Sequence, residues 1–476
     1  MLNKCQIFTP TEYVNKLLEI IGYTGAKILN KSVLENSCGD GKILVEVVDR
    51  YIKEALGADY SNSQIIKALE QNILGFEIDG NVLSKCISNL DAKALEYSIS
   101  GVKWNISSKD YLKTAINTKV DYVIGNPPYI MYQDIEIEER IYLKEHFESC
   151  KTGKFDYCYA FIEKSYADIN KYTGKMVYLI PSSIFKNSFG QNLRDIMIDS
   201  LVSIHDYKIS SVFSNATTSS AIIYLNNKCT MESFEYFDID FNDNILLEKK
   251  TMKHKKWLFS NKKIEKGNVK FSDHFEVANS VATLLNEAYV IKQYEEDVDQ
   301  KLIQVGDSKI EKSITKIAGS PRALSKGREE LIIFPYEYKD GELVKYMEDE
   351  FSRKFPYACE YLKIFKEKLA NRNSDKNAKW FEYGRSQALA HLNHPKLLVS
   401  SVITNEVLVY ELDIDAIPYS GFYITSKGKL GLDMAKKILE SSNFFQYLNT
   451  HGINANGKSI RFSVNDIKDY IIDSYL

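Results

Sequence analysis

The stretch VDYVIGNPPYI, residues 120–130, sets an amide, two prolines and an aromatic ring directly after an apolar run. The β-branched and aromatic residues predict a buried strand, and the glycine that follows them opens a turn. Pro127 has a fixed φ and no N–H, and Pro128 keeps its predecessor out of the helical region. The loop is therefore stiff and would fix the positions of Asn126 and Tyr129. These residues alone also fit a strand that ends in a Pro-Pro turn with a tyrosine packed beneath it.

Three other predicted strands end in glycine or acidic residues. In ENSCGDGKIL, Glu35 ends the strand, and the glycines after it allow a tight turn where backbone approaches a ligand. In FEIDGN, Glu77 could accept both hydroxyls of a ribose. In SSKDYL, Asp110 could accept from an adenine amino group, and Tyr111 could cover the ring. A doubly wound sheet binds ligands beyond the carboxyl ends of its strands, so the four ends together predict one nucleoside site, although each acid alone could be a helix cap.

These strand ends need a sheet to bring them together. From residue 9 to about 226, apolar strands alternate with amphipathic segments, the pattern of a parallel sheet with helices on both faces. The predicted strands are SVLENS, ILGFEID, VKWNI, VDYVIGN, KMVYLIP and SAIIYLN. Thr9, Pro10 and Glu12 predict the start of the first helix, as cap, first helical residue and capping-box acid.

The alternation stops after this sheet. Residues 230–270 are polar and rich in lysine, and the basic stretch within them fits either a solvated linker or a phosphate contact beside the cleft. Beyond residue 270, short strands such as ELIIFPYEY and KLLVSSVI mix with helical segments such as SRKFPYACEYLKIFKEKLA. This mixture predicts a separate α+β domain.

Composition is that of an ordinary folded protein. The chain has 476 residues, of which 44% are hydrophobic and 26% charged, and its net charge of −3 does not point to nucleic acid. We expect a cytoplasmic protein, because no signal peptide or membrane-spanning run is visible. The seven cysteines are scattered without a C-x-x-C pair, so reduced thiols are expected, with no metal site and no disulfides.

The ligand of the predicted site could be a dinucleotide, but CGDGKI lacks the third glycine of G-x-G-x-x-G, and S-adenosylmethionine fits better. The chain resembles the gamma-class, TaqI-like DNA adenine methyltransferases on QIFTP, LENSCGDG, GNPPY and the region after about residue 270, in that order. Residues 155–197 and the pieces VANSVATLLNEAYVI, WFEYGRSQAL and SGFYI are also similar to segments of that family. Two residues depart from the pattern: Asn36 stands where proline is usual, and Ile43 where phenylalanine is common.

The resemblance implies the α/β fold class, with a doubly wound, Rossmann-like methyltransferase sheet and a C-terminal α+β DNA target-recognition domain. The expected domains are a catalytic domain at 1–230, a basic linker at 231–270 and a recognition domain at 271–476. The implied catalytic residues are Asn126, Pro127, Tyr129 and Phe189. The implied cofactor-binding residues are Thr9, Glu35, Ser37, Gly39, Gly41, Glu77, Ile78, Asp110, Tyr111 and Asn126. Trp380, Tyr383, Arg385 and Gln387 have the side-chain types that read base edges and grip phosphates, although Trp380 and Tyr383 also fit a core.

The implied reaction explains the stiff loop. The 6-amino nitrogen of adenine is a poor nucleophile, and the Asn126 side-chain oxygen and the Pro127 carbonyl could both accept from it. The base must leave the duplex to reach them, and Tyr129 would stack on one of its faces. Phe189 is the candidate for the other face; a core residue at the start of a helix over Gln191–Met197 is the alternative.

The expected function is site-specific adenine methylation in a restriction-modification or phage-defence system. The expected partners are double-stranded DNA and a separate cognate restriction endonuclease, and the chain is expected to be a monomer without a fused nuclease. Three alternatives remain open at this point: a protein-glutamine methyltransferase, an RNA adenine methyltransferase, and a DNA-binding specificity subunit with a silent catalytic fold.

Overall fold

The chain divides into two compact units, Met1–Lys263 with Ile453–Lys458, and Ile264–Gly452 with Ser459–Leu476. The structure is a computed structural model that describes residues 9–210, 212, 219–260, 269–455 and 457–472. In these ranges, no helix has the length and apolar character that a membrane crossing requires. The six cysteines within them are free, and Cys5 lies outside the described residues.

Nine of the strands described for the first unit form one sheet. They are β1 (Val33–Glu35), β2 (Ile73–Phe76), β3 (Asn105–Ser107), β4 (Tyr122–Gly125), β5 (Lys175–Pro181), β6 (Leu201–Tyr207), β7 (Ser220–Asn226), β8 (Ser233–Asp238) and β9 (Asp243–Glu248). Their spatial order is β3-β2-β1-β4-β5-β7-β6-β8-β9. The order reverses at β1, which has β2 on one side and β4 on the other, and this is the switch point at which such sheets bind ligands.

The sheet is mixed rather than parallel. Strands β1 to β5 pair in parallel, whereas β7 runs antiparallel to both β5 and β6. The prediction of a parallel sheet is therefore wrong for SAIIYLN, and it missed β6. An apolar run indicates burial on both faces but does not encode strand direction.

Helices cover both faces of the sheet. Those described for the first unit are α1 (Thr11–Ile21), α2 (Lys42–Gly57), α3 (Asn62–Asn72), α4 (Gly80–Leu95), α5 (Ile137–His146), α6 (Cys158–Asp168), α7 (Gln191–Met197) and α8 (Lys249–Met252). Helices α1 to α4 contribute to one apolar cluster, and α5 to α8 to another. Within β4, Val123 belongs to one cluster and Ile124 to the other, as the alternation of side chains along a strand requires. The predicted doubly wound architecture is confirmed.

The start of α1 differs from the prediction. Its cap position is Pro10, and no side chain bonds to the first N–H groups of the helix. Glu12 does not complete a capping box and instead pairs with Lys16 at 3.0 Å. Thr9 is buried, and its hydroxyl is used elsewhere, as described below.

The predicted basic linker at 231–270 is wrong over most of its described length. Strands β8 and β9 extend the sheet of the first unit, and the side chain of Lys249 is buried with its Nζ donating to the Asp199 carbonyl at 2.8 Å. Trp257 is fully buried in the same unit. The boundary between the units therefore lies near residue 263, not at 230. Strands β8 and β9 carry several acidic residues and lead into a lysine-rich stretch, so the whole segment was interpreted as a solvated linker.

The second unit is α+β, as predicted. Its described strands are β10 (Phe275–Asn279), β11 (Val290–Ile291), β12 (Glu295–Asp297), β13 (Leu302–Val305), β14 (Ser308–Glu311), β15 (Thr315–Gly319), β16 (Leu331–Ile333), β17 (Tyr336–Lys339), β18 (Glu342–Lys345), β19 (Lys396–Val399), β20 (Val402–Ile403), β21 (Val409–Leu412), β22 (Ile417–Pro418), β23 (Phe422–Ser426) and, after the first-unit strand β24 (Ile453–Asn454), β25 (Ile460–Arg461). Two four-stranded sheets are its largest, in the orders β10-β23-β19-β21 and β11-β16-β15-β22.

The helices of the second unit are short. Those described are α9 (Asn286–Tyr289), α10 (Pro321–Leu324), α11 (Glu348–Lys354), α12 (Pro356–Lys363), α13 (Lys366–Ala370), α14 (Leu432–Leu439), α15 (Ser442–His451) and α16 (Val464–Lys468). The predicted helix SRKFPYACEYLKIFKEKLA is broken between α11 and α12, because Pro356 disfavours a helical conformation at Phe355.

Candidate functional site

A cavity of about 450 Å³ lies in the first unit at the carboxyl ends of β1 to β4. Its volume falls within the range of small-molecule sites, which is about 300–1,000 Å³. The predicted site residues that line it are Ser37, Gly39, Glu77, Ile78, Asp110, Tyr111, Asn126, Pro127 and Tyr129. The sequence therefore predicted nine of the residues that line this cavity.

The turn after β1 brings backbone to the cavity. The amide of Gly39 donates to Glu77 Oε2 at 3.0 Å, and the amide of Gly41 donates to the Cys38 carbonyl at 2.8 Å. Gly41 has a φ of +85°, and a Cβ there would lie 2.6 Å from Cys86 Sγ. Only glycine fits this position without moving α4, so the turn is held against the next crossover helix.

Glu77 presents its carboxylate from the end of β2. Its Oε1 accepts from the Asp79 amide at 2.9 Å, while Oε2 accepts from Gly39. The Asp79 side chain in turn caps α4. Two backbone N–H groups therefore fix the orientation of this acid on the cavity wall.

Asp110 and Tyr111 follow β3. Asp110 Oδ1 accepts from the Leu112 amide at 2.9 Å, and its Oδ2 lies 3.5 Å from Lys113 Nζ. The Tyr111 ring lies between Phe76 and Phe161, with centroid distances of 5.3 and 5.8 Å. Burial raises the pKa of Tyr111 well above its usual value, so its hydroxyl remains a donor.

The loop after β4 is anchored on both sides. Asn126 Nδ2 donates to Thr9 Oγ1 at 3.3 Å, and Ser37 Oγ donates to the Asn126 carbonyl at 3.3 Å. The Ile130 carbonyl accepts from the Tyr157 amide at 3.0 Å. The prolines are thus not the sole constraint on this loop, because three separate segments hold it.

Tyr129 lines the cavity with its ring partly exposed. The ring packs against both apolar clusters of the sheet. Burial of the hydroxyl end raises the pKa of Tyr129 well above its usual value, with smaller contributions from Cys158 and Asp156. The residue therefore offers an aromatic surface and a neutral hydroxyl.

Four predicted site residues do not line the cavity. They are Thr9, Glu35, Gly41 and Phe189. Glu35 is only 3% exposed, and burial raises its pKa well above the usual value, so the structure gives it no part of the wall. Phe189 is 40% exposed and its ring lies on Gly153, so the interpretation as a core residue is wrong, although α7 begins and ends as predicted. Its role as the second aromatic remains a prediction.

Sequence reasoning missed several groups on the wall. Tyr157 is the cap residue of α6 and Phe161 lies in the first turns of that helix, and their i, i+4 spacing was the available signal. Glu136, Glu138 and Glu139 add negative charge, and Lys113 Nζ pairs with Glu139 at 2.6 Å. In the described residues no group of three or more His, Cys, Asp or Glu side chains is arranged to hold a metal ion.

The predicted DNA-contacting residues of the second unit differ in their solvent exposure. Tyr383 is 1% exposed, and its hydroxyl donates to the Ile333 carbonyl at 2.7 Å, so the prediction that it contacts DNA is wrong. Trp380 is half-buried, and its indole N–H donates to Glu348 at 2.7 Å. Arg385 pairs with Asp375 at 2.9 Å and keeps 39% of its side chain exposed. Gln387 is exposed. The residue type alone does not show whether an aromatic ring lies in the core or at the surface.

The architecture defines the class of the protein: a methyltransferase-type α/β fold with an additional C-terminal domain. In a search of solved structures, the chain superposes on the Type IIL restriction-modification enzyme MmeI in complex with DNA with a TM-score of 0.65 at 12% identity, over 95% of this chain and 63% of that one. It also superposes on DrdV from a DrdV–DNA complex with a TM-score of 0.54 at 13% identity, over 93% of this chain and 53% of that one. These likenesses concern the fold.

Sequence comparison relates the chain to restriction-modification methylases. Residues 48–213 match the model described as Eco57I restriction-modification methylase. The chain is 24% identical to the type II restriction enzyme and methyltransferase RM.Eco57I of Escherichia coli, over 86% of this chain and 50% of that protein. It is 22% identical to the type II methyltransferase M.BstVI of Geobacillus stearothermophilus, over 96% of this chain and 87% of that protein. The chain is thus similar to restriction-modification methylases of the Eco57I type, and it spans half the length of RM.Eco57I.

Proposed function

We propose that the chain transfers a methyl group from S-adenosylmethionine to the exocyclic 6-amino group of an adenine in duplex DNA, as the modification activity of a restriction-modification or phage-defence system. The proposal rests on the cavity at the switch point, where the ends of β1 to β4 present Gly39, Glu77, Asp110 and the Asn126–Tyr129 loop. The match of residues 48–213 to a restriction-modification methylase model supports methylation of DNA, and the residues of the loop support an amino group as acceptor.

The cavity wall fits the proposed cofactor. Glu77 is held by two backbone N–H groups at the end of β2, which suits hydrogen bonds from ribose hydroxyls. Asp110 lies at the next strand end, beside the Tyr111 ring, and suits an adenine amino group. The acids on the wall also suit a ligand with a cationic sulfur. When bound, S-adenosylmethionine supplies a methyl group that is already activated by a sulfonium.

Asn126 and Pro127 position the amino group of the target adenine. The Asn126 side-chain oxygen and the Pro127 carbonyl accept from the amino group and favour a nitrogen lone pair directed toward the methyl group. The contacts of Asn126 with Thr9 and Ser37 reduce the motion that these acceptors would otherwise have. Pre-set acceptors of this kind lower the barrier by orientation.

The target base has to leave the helix, because an amino group stacked in a duplex cannot reach a recessed loop. Tyr129 offers one aromatic face, and stacking on it offsets part of the unstacking cost. The exposed Gln387 and the half-exposed Arg385 of the second unit are the candidate groups for base and phosphate contacts.

The test is expression of the chain in a methylation-deficient bacterium, followed by genome sequencing with modified-base detection. We expect N6-methyladenine at one defined sequence with the intact chain and none with Asn126→Ala. N4-methylcytosine at a defined sequence would retain the amino-group chemistry and overturn the adenine assignment. An unmodified genome, with purified protein that fails to methylate that DNA in vitro, would overturn the proposed function.

A further inference from the structure

Behind the cavity, five side chains form a continuous buried hydrogen-bond network. Asn36 Nδ2 lies 2.6 Å from Ser165 Oγ and 2.5 Å from the Tyr178 hydroxyl. Ser165 Oγ lies 2.8 Å from the Tyr178 hydroxyl and 3.2 Å from the Tyr111 hydroxyl. The Tyr111 hydroxyl donates to Asp168 Oδ2 at 3.0 Å. The network therefore joins the turn after β1 to the turn after β3 through β5 and α6.

The carboxylate at one end sets the direction of every bond. Asp168 pairs with Lys164 at 2.8 Å, and an ionised carboxylate only accepts, so Tyr111 must donate to it. Ser165 then donates to Tyr111, and Tyr178 donates to Ser165. The remaining acceptor positions on Tyr178 and Ser165 are filled by the amide nitrogen of Asn36.

This order fixes the Asn36 amide with its nitrogen toward the network. The side chain is 2% exposed, so a reversed amide would place its oxygen against hydroxyls whose protons point elsewhere. Asparagine supplies two donors at this position, whereas the proline that the related pattern usually carries supplies none.

Two members of the network lie on the cavity wall and three do not. Asn36 and Tyr111 line the cavity, whereas Ser165, Tyr178 and Asp168 lie behind it. A Cβ at Gly125 would lie 2.9 Å from Tyr178 Cε1, so the Tyr178 ring also supports the residue before Asn126.

We propose that Asn36, Tyr178 and Ser165 are positioning residues that act through the Tyr111 hydroxyl to hold the Tyr111 ring against the adenine half of the bound cofactor. This inference rests on the proposed function, because it assigns the ligand beside Asp110 as the nucleoside of S-adenosylmethionine. The network fixes a ring that would otherwise rotate or shift within its aromatic neighbours. Its loss reduces cofactor affinity rather than the rate of the chemical step.

The test uses Ser165→Ala in the full chain, because this change breaks the middle of the network without touching the cavity. Ser200→Ala is the matched control: Ser200 is a buried serine of the same unit, with a tyrosine hydroxyl at 2.7 Å and Asn227 at 2.9 Å. We expect the Kd for S-adenosylmethionine, measured by titration calorimetry, to rise about three- to tenfold in Ser165→Ala and to stay unchanged in Ser200→Ala. The KM for the cofactor should rise similarly, with kcat within about twofold of the wild-type value.

A double-mutant cycle tests the route through Tyr111. Tyr111→Phe keeps the ring and removes the hydroxyl, so it should raise the Kd by a similar factor. In that background Ser165→Ala should have no further effect on the Kd, because the bond through which it acts is already absent. Full multiplication of the two effects, or an unchanged Kd in Ser165→Ala with a melting temperature lowered as in Ser200→Ala, would overturn the proposal.

A second readout separates this inference from the proposed function. The ¹³Cζ resonance of Tyr111 in the ligand-free protein should shift in Ser165→Ala and not in Ser200→Ala. A wild-type chain that binds no S-adenosylmethionine would overturn both the proposed function and the assigned ligand. A wild-type chain that binds it, with Tyr111 unshifted and the Kd unchanged in Ser165→Ala, would overturn the network alone.

Discussion

Asn126 and Thr9 are 117 positions apart in the chain, and the Asn126 side-chain nitrogen donates to Thr9 Oγ1 at 3.3 Å. Thr9 directly precedes the cap of α1, so this contact ties the start of the first helix to the loop that follows β4. From the sequence, Thr9 was expected to cap the helix and Asn126 to accept from the target amino group, and the family resemblance also implied that both bind the cofactor. The structure connects them, and gives Thr9 the means to orient an amide from outside the cavity.

Removal of the Thr9 hydroxyl should slow methyl transfer. Thr9→Val keeps the shape of the side chain but loses the acceptor, and a neutral hydrogen bond of this kind contributes about 0.5–1.5 kcal/mol. We expect single-turnover methylation of a duplex to slow by about two- to tenfold, with unchanged cofactor affinity. Thr9→Ser restores the acceptor and should return the rate toward the wild-type value. A Thr9→Val enzyme at the full rate would remove Thr9 from the orientation of Asn126.

Glu77 should contribute to cofactor affinity beyond its structural bonds. Glu77→Ala removes a charged acceptor from the cavity wall, which is expected to weaken S-adenosylmethionine binding by roughly ten- to a hundredfold. Glu163→Ala is the matched control, because Glu163 also accepts from two backbone amides, at 2.9 and 2.7 Å, but does not line the cavity. Titration calorimetry should separate the two variants; equal affinities in both would place the ribose elsewhere.

Asp110, at the neighbouring strand end, should also contribute to the affinity for S-adenosylmethionine. Asp110→Ala removes the acid beside the Tyr111 ring, and a comparable loss of affinity is expected if the cofactor adenine lies there. The related nucleoside adenosine, which lacks the methionine part, serves as a competitor. Its affinity should fall in Asp110→Ala by the same factor as that of S-adenosylmethionine, and a loss confined to S-adenosylmethionine would contradict the placement.

The sequence predicts a part of the fold or site correctly when its residue pattern is compatible with only one local structure. A β-branched run followed by Gly-Asn-Pro-Pro fits a buried strand with a stiff loop, and β4 with its loop is as expected. Strands β8 and β9 were not predicted, since half-exposed strands rich in charge resemble a solvated segment. Tyr383 was assigned to DNA and lies in the core, because burial depends on contacts between segments far apart in the chain. Asn36 was noted only as a departure, and its partners became visible only when β5 and α6 were in place.

Tyr129 should act through its ring and not through an ionised hydroxyl. Burial keeps its pKa well above neutrality, so a role as a base near pH 7 is excluded. Tyr129→Phe should retain most of the single-turnover rate. Tyr129→Ala should lose about 1–3 kcal/mol of stacking, or roughly one to two powers of ten in rate. A fluorescent adenine analogue at the target position should be brighter in the alanine variant. If phenylalanine were as slow as alanine, the hydroxyl would be the required group.

Asp156 should make the stability of the first unit depend on pH. Burial raises its pKa from 3.8 to about 6. A carboxyl group whose pKa is raised by folding binds its proton more tightly in the folded state. Its stabilising contribution is therefore complete below the unfolded pKa and is lost as the pH rises through about 6.

The comparison with Asp156→Asn isolates this group. From pH 4 to pH 7, the free energy of unfolding of the wild type should fall relative to that of the variant, by an amount on the order of 3 kcal/mol. Urea titrations at several pH values measure the difference, and Asp206, whose pKa is also raised to about 6, is present in both proteins and cancels. A difference that is constant with pH would mean that folding does not raise the pKa of Asp156.

Gln387 should contribute to DNA affinity without contributing to stability. Its side chain is exposed, and a glutamine that reads a base edge provides about 1–3 kcal/mol of discrimination. Gln387→Ala should therefore weaken binding to the methylated sequence by roughly five- to a hundredfold at fixed salt, and weaken binding to a scrambled duplex much less. Gln446→Ala, at another exposed glutamine of the second unit, is the matched control and should bind both duplexes normally.

Tyr383→Phe should lower the melting temperature, since it loses the bond to Ile333, and leave the preference between duplexes intact. Fluorescence anisotropy measures both affinities, and a Gln387→Ala variant indistinguishable from Gln446→Ala would exclude Gln387 from base recognition.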